Sequence, residues 1–186
     1  MTFPRALVCG FAAVWSVAAF AQTPTGVHNF HQINNHIYRG AQPTAAGFQN
    51  LAKLGVKTII DLREGGERSL TEKKLVEAAG MRYVSVPLSG FSAPSPEKVA
   101  EVLALFENSD ADPVFIHCRR GADRTGTLVA CYRISHDHWN NDRALAEAKA
   151  DGMSWTEIAM HHFVLHYHPS VPVVTQVAAS ATGTGN

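Results

Sequence analysis

The residues most suited to chemistry lie between Pro113 and Gly126, in the run PVFIHCRRGADRTG. Val114, Phe115 and Ile116 form a short apolar run that predicts a buried strand, and the sequence after Gly126 turns helical. A loop joining a strand to a helix N-terminus aims several backbone N–H groups at one point, and the helix dipole adds positive potential there. Cys118 sits at that point, so the field that binds an anion is expected to favour its thiolate and make it nucleophilic. Six residues on, Arg124 can curl over a bound group, its planar fork matching two oxygens of a tetrahedral oxyanion. The hydroxyl of Thr125 can donate to the sulfur and improve it as a leaving group. These parts describe phosphoryl transfer to cysteine followed by hydrolysis, with no metal and no cofactor required.

The spacing His117-Cys118, five residues, Arg124-Thr125-Gly126 resembles the signature of the cysteine-dependent protein tyrosine and dual-specificity phosphatases. Upstream, Ile37-Tyr38-Arg39-Gly40-Ala41-Gln42-Pro43 and the stretch Leu54 to Arg63 are similar to the compact atypical members of bacteria, plants and fungi. The resemblance covers roughly residues 30 to 168 and implies a dual-specificity phosphatase-like α/β fold: a central mixed or mostly parallel sheet flanked by helices. It implies Cys118 as nucleophile and Arg124 as phosphate clamp, with His117 supporting the loop and tuning the thiolate. Arg119, Arg120, Gly121, Ala122 and Gly126 are the expected substrate-binding positions. The expected substrate is a phosphotyrosyl, and also a phosphoseryl or phosphothreonyl, protein.

The chain departs from the family where an aspartate usually protonates the leaving oxygen: no Asp lies between Met81 and Asn108. Two substitutes offer themselves. Glu97 is close to the usual place, although acids are common at helix starts for dipole reasons alone. Asp123, just before Arg124, resembles the arrangement in myotubularin and Sac-domain phosphoinositide phosphatases and is the favoured acid, while loop shaping is the plainer role. Arg119 and Arg120 add cations beside Arg124, which would favour an inositol polyphosphate or phosphoinositide over a lone phosphotyrosine, the plainer reading being that one or both point to solvent. The missing loop Asp also keeps open a non-catalytic, phosphate-binding pseudophosphatase.

The elements that must position this loop follow from the remaining pattern. Met1 to Ala21 reads as a secretory signal peptide: Arg5, an apolar run from Ala6 to Ala19, then Ala19-Phe20-Ala21 before Gln22. A secreted or periplasmic protein is therefore expected. Residues 22–168 form the catalytic domain, and 169–186 read as a disordered tail. Two short strands are expected around Asn34-Asn35, then a helix capped by Thr44 and ended by Gly55, and a strand from Val56 to Leu62. Asp61, Arg63 and Glu64 read as a structural ion pair. A helix from Ser69 to Ala79, a strand from Met81 to Val86, the turn-rich loop Pro87 to Ser95 and a helix opened by Ser95-Pro96-Glu97 follow. After the cysteine loop come helices from Thr125 to about His138, from an Asn141-Asp142 cap to Asp151, and from Ser154 to Tyr167 with Ile158, Phe163 and Val164 inward. Cys131 reads as a small core residue, and His161, His162, His166 and His168 as a solvated face, not a metal site.

With 16 basic and 16 acidic side chains the 186-residue chain carries no net charge, which argues against nucleic-acid or polybasic membrane partners. A monomer acting on phosphorylated protein or inositol phosphate is expected.

Overall fold

The computed structural model describes residues 23–109 and 112–169, so the expected signal segment and most of the expected tail lie outside the described residues. Five strands build one mixed sheet: β1 (His31–Gln32), β2 (Ile37–Ala41), β3 (Thr58–Asp61), β4 (Arg82–Ser85) and β5 (Val114–Cys118). Their order is β1-β2-β5-β3-β4, with β1 antiparallel to β2 and every other pairing parallel. The helices are α1 (Ala45–Lys53), α2 (Glu67–Ala78), α3 (Pro96–Glu107), α4 (Asp123–Ser135), α5 (Asn141–Ala150) and α6 (Ile158–Leu165).

The last strand inserts into the middle of the sheet, and that insertion creates the site. β5 lies between β2 and β3, with Cys118 paired to Ala41 and His117 to both Gly40 and Asp61. In an open sheet of this kind the crevice at the strands' carboxyl ends is where ligands bind. Helices cover both faces of the sheet, so the central strand β5 is buried along its whole length. Val114, Ile116 and Cys118 join the core that contains Val102 and Phe106 of α3 and Leu128 and Val129 of α4. Phe115 faces the opposite core, with Phe48 and Leu51 of α1 and Val76 of α2. The period of two that separates these faces therefore turns Cys118 toward α4 and its neighbour His117 toward α2.

Side-chain caps fix several helix starts. Thr44 Oγ1 accepts from Gly47 N at 3.1 Å, and Ser95 precedes Pro96 in the first turn of α3 and accepts from Lys98 N. Gly55 has φ +98°, a left-handed conformation that stops α1. Several boundaries differ from those the sequence predicts: α2 starts two residues early, at Glu67, and β3 and β4 are each shorter than expected. Helix α4 starts two residues early, at Asp123, and ends at Ser135. The cap of α5 is Asn140, whose Oδ1 accepts from Arg143 N, while the Asn141 amide reaches the carbonyls of Val164 and Tyr167. Helix α6 begins only at Ile158, because Ser154 and Thr156 close a local turn through their own hydroxyls. Ile158, expected inward, is 74% exposed, and Val164 carries the packing onto α4 and α5.

Candidate active site

The phosphate-sized loop is only four residues long, Arg119 to Ala122, between the end of β5 and the start of α4. Cys118 is 2% exposed at its floor. Gly121 adopts φ +69°, and a Cβ there would fall on the Gly40 carbonyl and the Ala41 nitrogen, so the loop rests directly on β2. The opening N–H groups of α4 have no acceptor within the helix and face the loop's end of the sheet.

Three of the four loop carbonyls are fastened from outside, while Ala122 O accepts from Gly126 N in the turn that opens α4. Gln42 N donates to Arg119 O at 3.4 Å. The Asn29 amide donates to Arg120 O at 3.4 Å and to Gly121 O at 3.2 Å. Arg39 Nη2 donates to Gly121 O at 2.6 Å, and its Nη1 pairs with Asp151 Oδ2 at 2.9 Å. Arg39 has no exposed surface at all. Burial draws its pKa downward, and Asp151, then Glu147 and Cys118, favour its charged form.

Three cations surround the loop. Arg124 is half-buried, and its Nη1 donates to Leu88 O at 3.3 Å, tying it to the Pro87 to Ser95 loop. Arg119 is exposed. Arg120 pairs with Asp123 Oδ2 at 2.6 Å, which raises the guanidinium's pKa. The other Asp123 oxygen accepts from Ser154 N at 2.8 Å. Asp123 thus accepts a hydrogen bond at both oxygens. Glu97 is exposed, and the Ser95 hydroxyl holds its carboxyl below the usual range. The Thr125 hydroxyl is buried with no hydrogen-bond partner among the described residues, leaving its proton unclaimed. Gly126 allows a close approach: a Cβ there would crowd Met153 and Ala148.

Behind the loop, His117 is fully buried, with Nδ1 3.3 Å from Cys118 O and Nε2 2.9 Å from Glu72 Oε1 without the alignment of a hydrogen bond. Arg63 forks onto both oxygens of Asp61, at 2.8 and 2.6 Å, and reaches Glu72 Oε2 at 2.7 Å. The expected ion pair therefore forms, with Glu72 in place of Glu64, which is exposed. Asp61, Glu72 and His117 bring ligand atoms within 4.8 Å of one another. Three of the four carboxylate oxygens are already taken by Arg63, so the donor set suits that cation and not a metal ion. Cys131 is a core residue whose thiol burial pushes upward. The rings of His162 and His166 stack 4.1 Å apart on the exposed face of α6.

Cys118, Arg124 and Thr125, which their spacing predicts to converge, lie at one strand end. Arg39, Asn29, Asp151 and Glu72 join them through contacts that no spacing announces. Arg39 did leave a signal, a lone charge inside the apolar run Ile37 to Ala41. Glu72 left none, since it stands among Glu67, Arg68, Lys73, Lys74 and Glu77.

Residues 6–166 match the family described as DSP-PTPase phosphatase fused to NAD+ kinase. The dual specificity protein phosphatase TpbA of Pseudomonas aeruginosa is 29% identical over 134 residues, covering 72% of this chain and 59% of that protein. The inositol diphosphatase DSP3 of Arabidopsis thaliana is 30% identical over 136 residues, covering 69% of this chain and 65% of that one. The core catalytic domain of the PP-IP phosphatase SIW14 from S. cerevisiae superposes with a TM-score of 0.67 at 26% identity, over 78% of this chain and 89% of that one. The chain thus spans about three fifths of the length of these curated relatives.

Proposed function

The chain belongs to the DSP-PTPase phosphatase family, and from that premise we propose that it hydrolyses phosphoric monoesters through a phosphocysteine intermediate. The observation that carries this reading is a buried Cys118 at the floor of a four-residue loop in which the carbonyls of Arg119, Arg120 and Gly121 are each held by a donor from outside the loop. In the first step the Cys118 thiolate attacks phosphorus and the ester oxygen leaves. Loop N–H groups and the Arg124 fork take the charge that gathers on the equatorial oxygens. Water then attacks the phosphocysteine, the sulfur departs, and the unclaimed Thr125 proton stabilises it. His117 supports the loop from behind.

The leaving oxygen of an ester needs a proton, and Asp123 is the acid the loop offers. When Arg120 turns to a substrate oxygen, Asp123 Oδ2 is released to carry one. Phe91 and Trp155 are 88% and 84% exposed, one on the Pro87 to Ser95 loop that Arg124 touches and one beside Ser154. Exposed aromatic rings on the two segments that contact Arg124 and Asp123 favour an aryl ester such as phosphotyrosine. A second reading, an inositol diphosphate, is favoured by the pinned Asp123: a phosphate leaving group departs without an acid, and Arg119 and Arg120 suit several phosphates.

The test is phosphate release, under reducing conditions, from an aryl phosphate, phosphotyrosyl and phosphoseryl peptides and an inositol diphosphate, beside Cys118→Ser. Turnover that vanishes in the variant is expected, and the ranking of substrates chooses between the two readings. A folded protein that binds phosphate analogues and turns over none of them would identify a pseudophosphatase instead. The apolar run from Ala6 to Ala19 supports export. The N-terminus of protein recovered from the periplasm is expected at Gln22, and an intact Met1 there would oppose it.

A further inference from the structure

Beneath the loop, on the side away from the pocket, lies a charge that the reaction scheme does not use. Arg39 is central in β2, and a fully buried arginine is rare unless paired. Its pairing to Asp151 accounts for one arm of the fork, while the other arm is spent on a backbone oxygen, Gly121 O. Asn29 works beside it: its amide holds Arg120 O and Gly121 O and reaches Asp151 O at 2.9 Å. Asn29 itself has φ +49°, a conformation Asn tolerates better than most residues.

A trans peptide unit carries its C=O and the following N–H on opposite sides. Fastening the carbonyls of Arg120 and Gly121 below the loop therefore turns the N–H groups of Gly121 and Ala122 to the other side, where Cys118 and a bound anion lie. Gln42 does the same for Arg120 N–H by holding Arg119 O. Without such anchors the loop's peptide units are free to flip, because Gly121 tolerates many backbone conformations.

We propose that Arg39, assisted by Asn29, is the positioning residue of the phosphate cradle, acting on the carbonyl side of the loop to aim its N–H groups at the anion. It touches neither substrate nor sulfur. The inference rests on the phosphatase reading only in taking a phosphoryl group as that anion. A lysine at position 39 keeps the charge but cannot hold Asp151 and Gly121 O with one planar fork.

The experiment uses the full chain and a readout that needs no turnover: alkylation of Cys118 by iodoacetamide and its protection by inorganic phosphate, with melting temperature measured in parallel. Arg39→Lys is expected to raise the phosphate concentration giving half-protection by about tenfold or more, and kcat/KM to fall with it. Asn29→Gly suits the local φ and is expected to weaken protection by about threefold; it decides the matter should Arg39→Lys not fold. A folded variant protected at the wild-type concentration overturns the positioning role alone. Failure of phosphate to protect the wild type overturns the phosphatase reading, and this role with it.

Discussion

Two buried arginines flank the Cys118 loop, and they are put to different uses. Arg63 spends its fork entirely on carboxylates, Asp61 and Glu72, and so ties the end of β3 to α2 behind His117. Arg39 gives half of its fork to a carboxylate and half to the loop's own backbone. The first cluster is closed: all four members are buried. The second opens toward solvent through His31, whose Nε2 lies 2.9 Å from Asn29 Oδ1 and whose Nδ1 lies 3.4 Å from Asp151 Oδ1. The lesson is that a buried ion pair can be a structural rivet in one place and a geometric device in another. Buried pairs add little net stability over apolar packing, yet breaking one is costly.

The largest effect is expected at Arg63. Arg63→Met leaves Asp61 and Glu72 as buried carboxylates without a cation and is expected to cost about 3–5 kcal/mol in urea unfolding. Phosphate protection of Cys118, per folded molecule, is expected to stay near the wild-type value. Protection weakened as much as in Arg39→Lys would erase the distinction between the two clusters.

A smaller effect is expected at Asp61. Burial alone would raise its carboxyl, but the hydrogen bonds from Arg63 and Tyr83 and the nearby His117 together hold it below the usual carboxylate range. A lowered native pKa means stability that is fully present above the unfolded value of about 3.9 and is lost as pH falls through the native value. Asp61→Asn is therefore expected to cost about 1–3 kcal/mol near pH 6, with the gap from wild type closing below about pH 4. Urea titrations at pH 6 and pH 3 check this, and an equal gap at both would remove Asp61 from the charged cluster.

Much of the fold was legible because it depends on local signals. The apolar run before Cys118, the caps Thr44 and Ser95, and the left-handed stop at Gly55 each act within a few residues of themselves. What stayed hidden depends on contacts distant in sequence. Arg39 meets Asp151 across 112 positions and Asn29 meets Gly121 across 92, and no spacing rule links them. The start of α6 was misplaced for a related reason: Asp123, 31 positions away, takes the Ser154 N–H and sets the turn that delays the helix. Ile158 then falls on the outer side.

The sheet order has one more consequence, for solubility. Inserting β5 at the centre leaves β1 and β4 as the edges. One is only two residues long. The other carries exposed Arg82, which pairs with Asp112 at 2.7 Å. Short or charged edges are poor templates for another strand, and the apolar faces between them are covered by helices. Among the described residues, aggregation by strand addition is thereby discouraged at both edges of the sheet.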